Sequence, residues 1–296
     1  MSALKKLHAG GCFYEGARWH DGAWFVSDMY GCDVLRVTPD GVATVMARVK
    51  ERPSGIGWLP NGDMLIVAVQ EMKILRRHSD GSLSVHADIA EASRYWINDM
   101  HVTPNGHAYV GSIGFDPRVI FQPGPANLVH VTPDGRASIA ATGMLFPNGM
   151  VHTKDGKTLI VGESLGKRMT AFTIQPDGSL TDRRTWAQFG PEPSPEDYSF
   201  ETLRTNHLAP DGCAIDAEDC IWVADAASKR ICRVTEGGQI LAEIIPPDGL
   251  GGYACALGGP DGHELLICAA PGSNPEPCIE QRAAALYVAR VKVGAP

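Results

Sequence analysis

Four short stretches each carry a polar residue in an otherwise apolar setting: Glu15 in YEGARW, Asn98 in INDMHV, Asn148 in FPNGMV and Asp211 in APDGCAI. Together they offer two carboxylates and two amide oxygens. A hard divalent cation takes oxygen donors of this kind, with water completing its shell. No Cys or His stands among them, so calcium, magnesium or manganese suits the set better than structural zinc. Singly, each is as easily a cap or turn residue. What gives them meaning is whether the fold brings them together.

The elements that would do so are written in turn chemistry. TPDG at 38–41, PNG at 60–62, SDG at 79–81, PNG at 104–106 and TPDG at 132–135 are followed by KDG, PDG, EGG and PDG at 154–156, 176–178, 236–238 and 260–262. Between them lie short runs rich in Val, Ile, Leu and aromatics, such as AWFVSDM, DMLIVAV, TLIVGES and CIWVADA. No long segment shows helical periodicity, so the chain reads as all-β. The runs group into a unit of roughly 45 residues with four strands, A to D, the signature of a β-propeller. Six units fit, and the sixth is one strand short. The N-terminal ALKKLHA can supply that strand and close the ring without open edges. The expectation is one domain over residues 1–296, a six-bladed β-propeller of four antiparallel strands per blade.

In that register Asn61-Gly62, Asn105-Gly106, Asp155-Gly156 and Asp261-Gly262 are turns between strands A and B. There Asp or Asn bonds its own backbone and Gly takes positive φ. Asn148-Gly149 looks the same but falls at the start of a strand A, as do Glu15, Asn98 and Asp211. All four then point toward the channel mouth on one face.

Composition narrows the partners. The 296 residues carry a formal charge of -8 with no basic cluster, which argues against nucleic acid or an anionic membrane surface. The first residues show no apolar leader segment and no stretch reaches the length of a membrane span, so a cytoplasmic protein is expected. None of the eight Cys sits in a C-x-x-C pair, and most lie in apolar runs as buried thiols.

The EG-x-x-W start (Glu15 to Trp19), IND (Ile97 to Asp99), PNGM (Pro147 to Met150) and PDGCAIDAED-x-IWVAD (Pro210 to Asp225) resemble the senescence-marker-protein, gluconolactonase and luciferin-regenerating-enzyme family over nearly the whole chain. The resemblance implies a six-bladed propeller with one catalytic divalent metal, calcium first, with zinc, magnesium or manganese as alternatives. It makes Glu15, Asn148 and Asp211 metal ligands, and Asn98 a fourth ligand or the holder of a metal-bound water or substrate. It also implies hydrolysis of a sugar lactone or related cyclic ester. Regucalcin-like members carry a sugar-contacting Arg two residues before the Asn of the third blade. Trp96 stands there instead, with Arg94 two residues further back, which favours a flatter or less polar substrate.

Asp211 and Asp99 are the candidates for the base: a metal-bound Asp211 is a weak base, Asp99 would face away from Asn98 because strand neighbours alternate, and Asp211 is slightly favoured. Arg18, Trp96, Asn98, Glu163, Phe115 and His207 are candidate substrate contacts, with Arg118 and Phe121 on the pocket rim. Ser112 and Ser164 lie in loops of the same face without a G-x-S-x-G or an obvious His partner. The expected partner is a small molecule, and the expected state a monomer or weak homo-oligomer. The competing readings are metal-dependent phosphotriesterase-like chemistry and a non-catalytic binding propeller.

Overall fold

Alternating β-branched and aromatic residues, broken by Asp-Gly and Asn-Gly, fold among the described residues into 24 strands in six antiparallel sheets of four. The computed structural model describes residues 4–116, 124–194 and 207–296. The N-terminal strand is β1 (Lys5–Gly11). Blade one is β2 (Tyr14–His20), β3 (Ala23–Asp28), β4 (Asp33–Val37) and β5 (Ala43–Arg48). Blade two is β6 (Pro53–Trp58), β7 (Met64–Ala68), β8 (Lys73–Arg77) and β9 (Leu83–Asp88). Blade three is β10 (Ile97–Val102), β11 (Ala108–Ser112), β12 (Ala126–Val131) and β13 (Ala137–Met144). Blade four is β14 (Pro147–His152), β15 (Thr158–Glu163), β16 (Arg168–Ile174) and β17 (Leu180–Gln188). Blade five is β18 (Pro210–Ile215), β19 (Ile221–Asp225), β20 (Arg230–Val234) and β21 (Ile240–Ile244). Blade six is β22 (Gly251–Gly258), β23 (Glu264–Ala270) and β24 (Ala284–Arg290), completed by β1.

The first strand of each blade is innermost and packs against its neighbours' first strands, with β22 lying beside β2 to close the ring. The pairing Lys5↔Val288 fixes β1 to β24. Apolar faces meet between blades: Phe25 and Val34 of blade one pack with Ile56, Met64 and Ile66 of blade two. Burying one such side chain contributes roughly 1.5–3 kcal/mol. The fourth strands face outward and carry exposed apolar residues such as Val45, Val85 and Leu241.

The two look-alike pairs separate as the register requires. Gly156 has φ +71 and its N–H donates to Thr153 O at 2.8 Å, an ordinary hairpin turn. Gly149 is needed for closeness: a Cβ there would lie 2.2 Å from the Asp211 carbonyl oxygen of the next blade.

Among the described residues two short helices interrupt the loops. They are α1 (Ala90–Ser93), before β10, and α2 (Pro275–Gln281), between β23 and β24. The sequence around each reads as loop, because one or two turns carry no periodic pattern. No helix among the described residues is long and apolar enough to cross a membrane.

Candidate active site

Every innermost strand slips register at the same height. The slips fall between Glu15 and Arg18, Pro53 and Ile56, Ile97 and Met100, Pro147 and Met150, Pro210 and Cys213, and Gly252 and Ala254. A bulge interrupts strict alternation and re-aims the side chains beside it. Five of these strands bring a polar side chain there: Glu15, Ser54, Asn98, Asn148 and Asp211, all buried.

They are joined across blades. The Ser54 hydroxyl donates to Asn98 Oδ1 at 3.1 Å, and Asn98 Nδ2 donates to Asn148 Oδ1 at 3.1 Å. Asn148 Nδ2 donates to Ser164 Oγ at 3.2 Å, whose hydroxyl donates to Pro210 O at 2.6 Å, next to Asp211. Ser54 is a residue the sequence reading missed. Its signal was its position, matching Glu15 and Asn98 at the head of a strand A.

The carboxylates are uncomfortable. Burial, then the Asp211 and Asp99 charges, push the Glu15 carboxyl well above its ordinary range. Burial and the Asp99 charge raise Asp211 to about 7, partly offset by hydrogen bonds from Asn148 and the Gly212 backbone. Asp211 Oδ1 is buried without a hydrogen-bond partner. An orphaned anionic oxygen beside a second strained carboxylate is the electrostatic complement of a cation. Among the described residues no group of three or more His, Cys, Asp or Glu can hold a metal ion. The fit therefore depends on counting the amide oxygens of Asn98 and Asn148 with Glu15 and Asp211.

The chain entering three of these strands is clamped by a buried acid. Asp28 accepts the N–H groups of Cys12 and Phe13 at 3.0 and 2.9 Å, Glu163 accepts that of Leu145 at 2.7 Å, and Asp225 accepts that of Ala209 at 3.1 Å. Each acid ends the second strand of its blade and pairs with the residue just before Glu15, Asn148 or Asp211. The signal was legible as VSD, VGE and VAD at the ends of these strands, in blades one, four and five alone.

Several expectations are corrected by this geometry. Glu163 does not face a pocket: it is fully buried, held by Arg168 at 2.8 Å as well as by Leu145. Arg18 turns along the axis, where one guanidinium nitrogen donates to Met100 O at 2.6 Å and to Asp99 Oδ1 at 3.3 Å. It lines a recess of about 330 Å³ at the hairpin-turn end, with His101 and His152, away from the open mouth. Asp99 is not turned away from the site. The bulge leaves it only 2% exposed, and its charge bears on both Glu15 and Asp211. His207 Nδ1 lies 3.1 Å from Phe189 O, tying the end of the long insertion to its start. Trp96 and Phe115 are both buried, Trp96 two residues before Asn98 on the open side. Ser164 spends its hydroxyl on the interblade chain. Arg118 and Phe121 lie outside the described residues.

Residues 13–271 match the family model described as the SMP-30/gluconolactonase/LRE-like region. The chain belongs to the SMP-30/gluconolactonase/LRE-like family. Among the family's relatives, lactonase drp35 of Staphylococcus epidermidis is 24% identical over 253 residues, covering 82% of this chain and 72% of that protein. A solved structure of a luciferin-regenerating enzyme superposes with a TM-score of 0.78 at 19% identity, covering 99% of this chain and 97% of the other. That of a calcium-binding protein, regucalcin, from Agrobacterium tumefaciens superposes with a TM-score of 0.76 at 18% identity, covering 97% and 92%.

Proposed function

We propose that this member of the family is a divalent-metal-dependent hydrolase that opens a lactone at the axis of the propeller. The observation that carries this reading is the buried, partnerless Oδ1 of Asp211 beside Glu15, Asn98 and Asn148. These four residues would hold the ion, calcium first given the calcium-binding relative, with zinc, magnesium or manganese as alternatives. Bound there, a divalent cation supplies Lewis acidity toward an ester carbonyl.

The chain's own groups do the rest. Asp211 would take the proton from the attacking water through the carboxylate oxygen that does not face the ion. As the carbonyl carbon gains the hydroxyl, the ring C–O bond breaks and the same proton passes to the departing ring oxygen, leaving a hydroxy acid. Asp99 is the weaker candidate, because its Oδ1 is committed to the Met100 N–H at 2.7 Å and to Arg18. Asn98 and Asn148 orient through their mutual hydrogen bond, and the buried strands around them exclude bulk water. The lactonase named among the relatives supports ester rather than phosphoester chemistry.

Acid release from γ- and δ-lactones, measured after chelation and again with each metal restored, tests the reading. Turnover that vanishes on chelation and returns with an ion supports it. Hydrolysis of phosphotriesters with none of lactones would replace it.

A further inference from the structure

Arg52 is a cation near the open end of the axis with no part in the site described so far. It ends the crossing between β5 and β6, and its guanidinium lies over two rings from neighbouring blades. The guanidinium carbon is 5.1 Å from the Tyr30 ring centroid and 5.9 Å from that of Trp96. Tyr30 is fixed in turn, its hydroxyl donating to Ser273 O at 2.7 Å, and its ring meets Phe13 at 5.4 Å. Phe13 continues to Tyr253 at 5.0 Å, so an arc of aromatic faces runs from blade six round to Arg52.

The backbone beneath Arg52 is pinned in an unusual shape. Its φ is +64, its N–H donates to Val49 O at 3.2 Å, and its carbonyl accepts the Val69 N–H at 3.0 Å. A non-glycine residue is held in that region only when its surroundings enforce it, which is common where a side chain must be aimed.

Four other arginines are neutralised by acids: Arg76 on Asp63, Arg168 on Glu163, Arg230 on Asp225 and Arg233 on Asp216. Among the described residues the Arg52 guanidinium has neither a carboxylate nor a hydrogen-bond acceptor. Its planar fork, partly stripped of water by two rings, is suited to a carboxylate, phosphate or sulfonate.

Its height above the site follows from the chain. Arg52 and Trp96 lie two residues upstream of Ser54 and Asn98, which are themselves bonded at 3.1 Å. The Arg52–Trp96 contact thus lies outward of the Ser54–Asn98 bond, toward the open face. A lactone entering the axis from the open face passes this layer before its carbonyl reaches the inner carboxylates.

We propose that Arg52, steadied by Tyr30 and Trp96, selects lactones that carry an anionic oxo group on a carbon remote from the ring carbonyl. The proposal rests on the lactone-hydrolase reading for its chemistry, and on the geometry of Arg52 for its specificity. The three anions share one recognition chemistry, and the test separates them.

The test compares kcat/KM of the ion-loaded full chain on gluconolactone and on its 6-carboxylate, 6-phosphate and 6-sulfonate counterparts, for the native chain, Arg52→Gln and Arg52→Lys. The native chain is expected to prefer at least one anionic lactone. In Arg52→Gln the anionic-to-neutral ratio should fall about 10- to 100-fold, mainly through KM, as expected for losing charge-assisted hydrogen bonds. Arg52→Lys should retain part of the ratio. No preference in the native chain, or an equal loss on both substrates in a folded Arg52→Gln, overturns the proposal. If no lactone is turned over, the hydrolase reading fails by itself, and calorimetric binding of 6-phosphogluconate decides Arg52. Weaker binding in Arg52→Gln supports the anion site, and unchanged or absent binding to the native chain removes it.

Discussion

Asn98 Nδ2 donates to Asn148 Oδ1 at 3.1 Å, joining blade three to blade four at the axis of the ring. The bond belongs to a chain running from Ser54 through both amides to Ser164 and the Pro210 carbonyl. It leaves both amide oxygens oriented by donors instead of turning freely, so the site is built before any ion arrives. Catalytic constellations gain from such preorganisation.

Asn148→Ala removes an acceptor for Asn98 and a donor for Ser164 together. Leaving these buried groups unsatisfied should cost about 1–3 kcal/mol. Chemical denaturation of the metal-stripped protein measures that loss. Titration calorimetry with calcium should show affinity reduced by at least about tenfold, the equivalent of roughly 1.4 kcal/mol. An unchanged calcium affinity would remove Asn148 from the ligand set.

Asp211→Asn should separate stability from function. With no ion bound, the raised pKa of Asp211 makes its ionisation costly in the folded state. Between 3.8 and about 7 the unfolded chain gives up this proton and the folded chain keeps it, so stability falls as pH rises through that window. Above it the whole penalty is present. The Asn variant lacks the penalty, so at pH about 8 the stripped variant should be at least as stable as the stripped native protein. It should also lose hydrolysis and the rise in melting temperature on adding calcium. Measured melting curves with and without ion settle both points.

The hairpin-turn end should respond to pH in the opposite sense. His101 Nε2 and His152 Nδ1 lie 2.5 Å apart. Burial lowers the pKa of both, and the His152 and Arg18 charges lower that of His101 further. The folded state therefore resists protonation while the unfolded chain accepts it below 6.5. Stability from this pair is complete above 6.5 and lost as pH falls toward the lower folded values. Urea midpoints of the stripped protein at pH about 7.5 and about 5.5 should show the drop, and His101→Gln should reduce it. An identical drop in the variant would place its origin elsewhere.

Much of this was legible in the chain. Asp-Gly and Asn-Gly turns at a steady spacing gave the blades, and the N-terminal strand was readable from the strand missing in blade six. Glu15, Asn98, Asn148 and Asp211 were legible as a set because they recur at one position of a repeat. Three things were hidden, each for a physical reason. Period-two alternation predicted that Asp99 faces away, and a bulge shared by all six inner strands breaks that rule. Glu163 ends a strand beside a same-face loop by sequence, which reads as a substrate contact, but its partner Arg168 lies directly across the pair of strands and draws it inward. Arg52 makes its contacts with rings from two other blades, and pattern along one strand carries no trace of that.

The central claim is that one divalent ion sits on the propeller axis among Glu15, Asn98, Asn148 and Asp211. Anomalous diffraction from crystals grown with calcium, or with manganese for a stronger signal, addresses it directly. A peak on the axis at about 2.3–2.6 Å from the four side-chain oxygens is the predicted result for calcium. A loaded, active protein with no peak there, or with its ion held by other residues, would contradict the account.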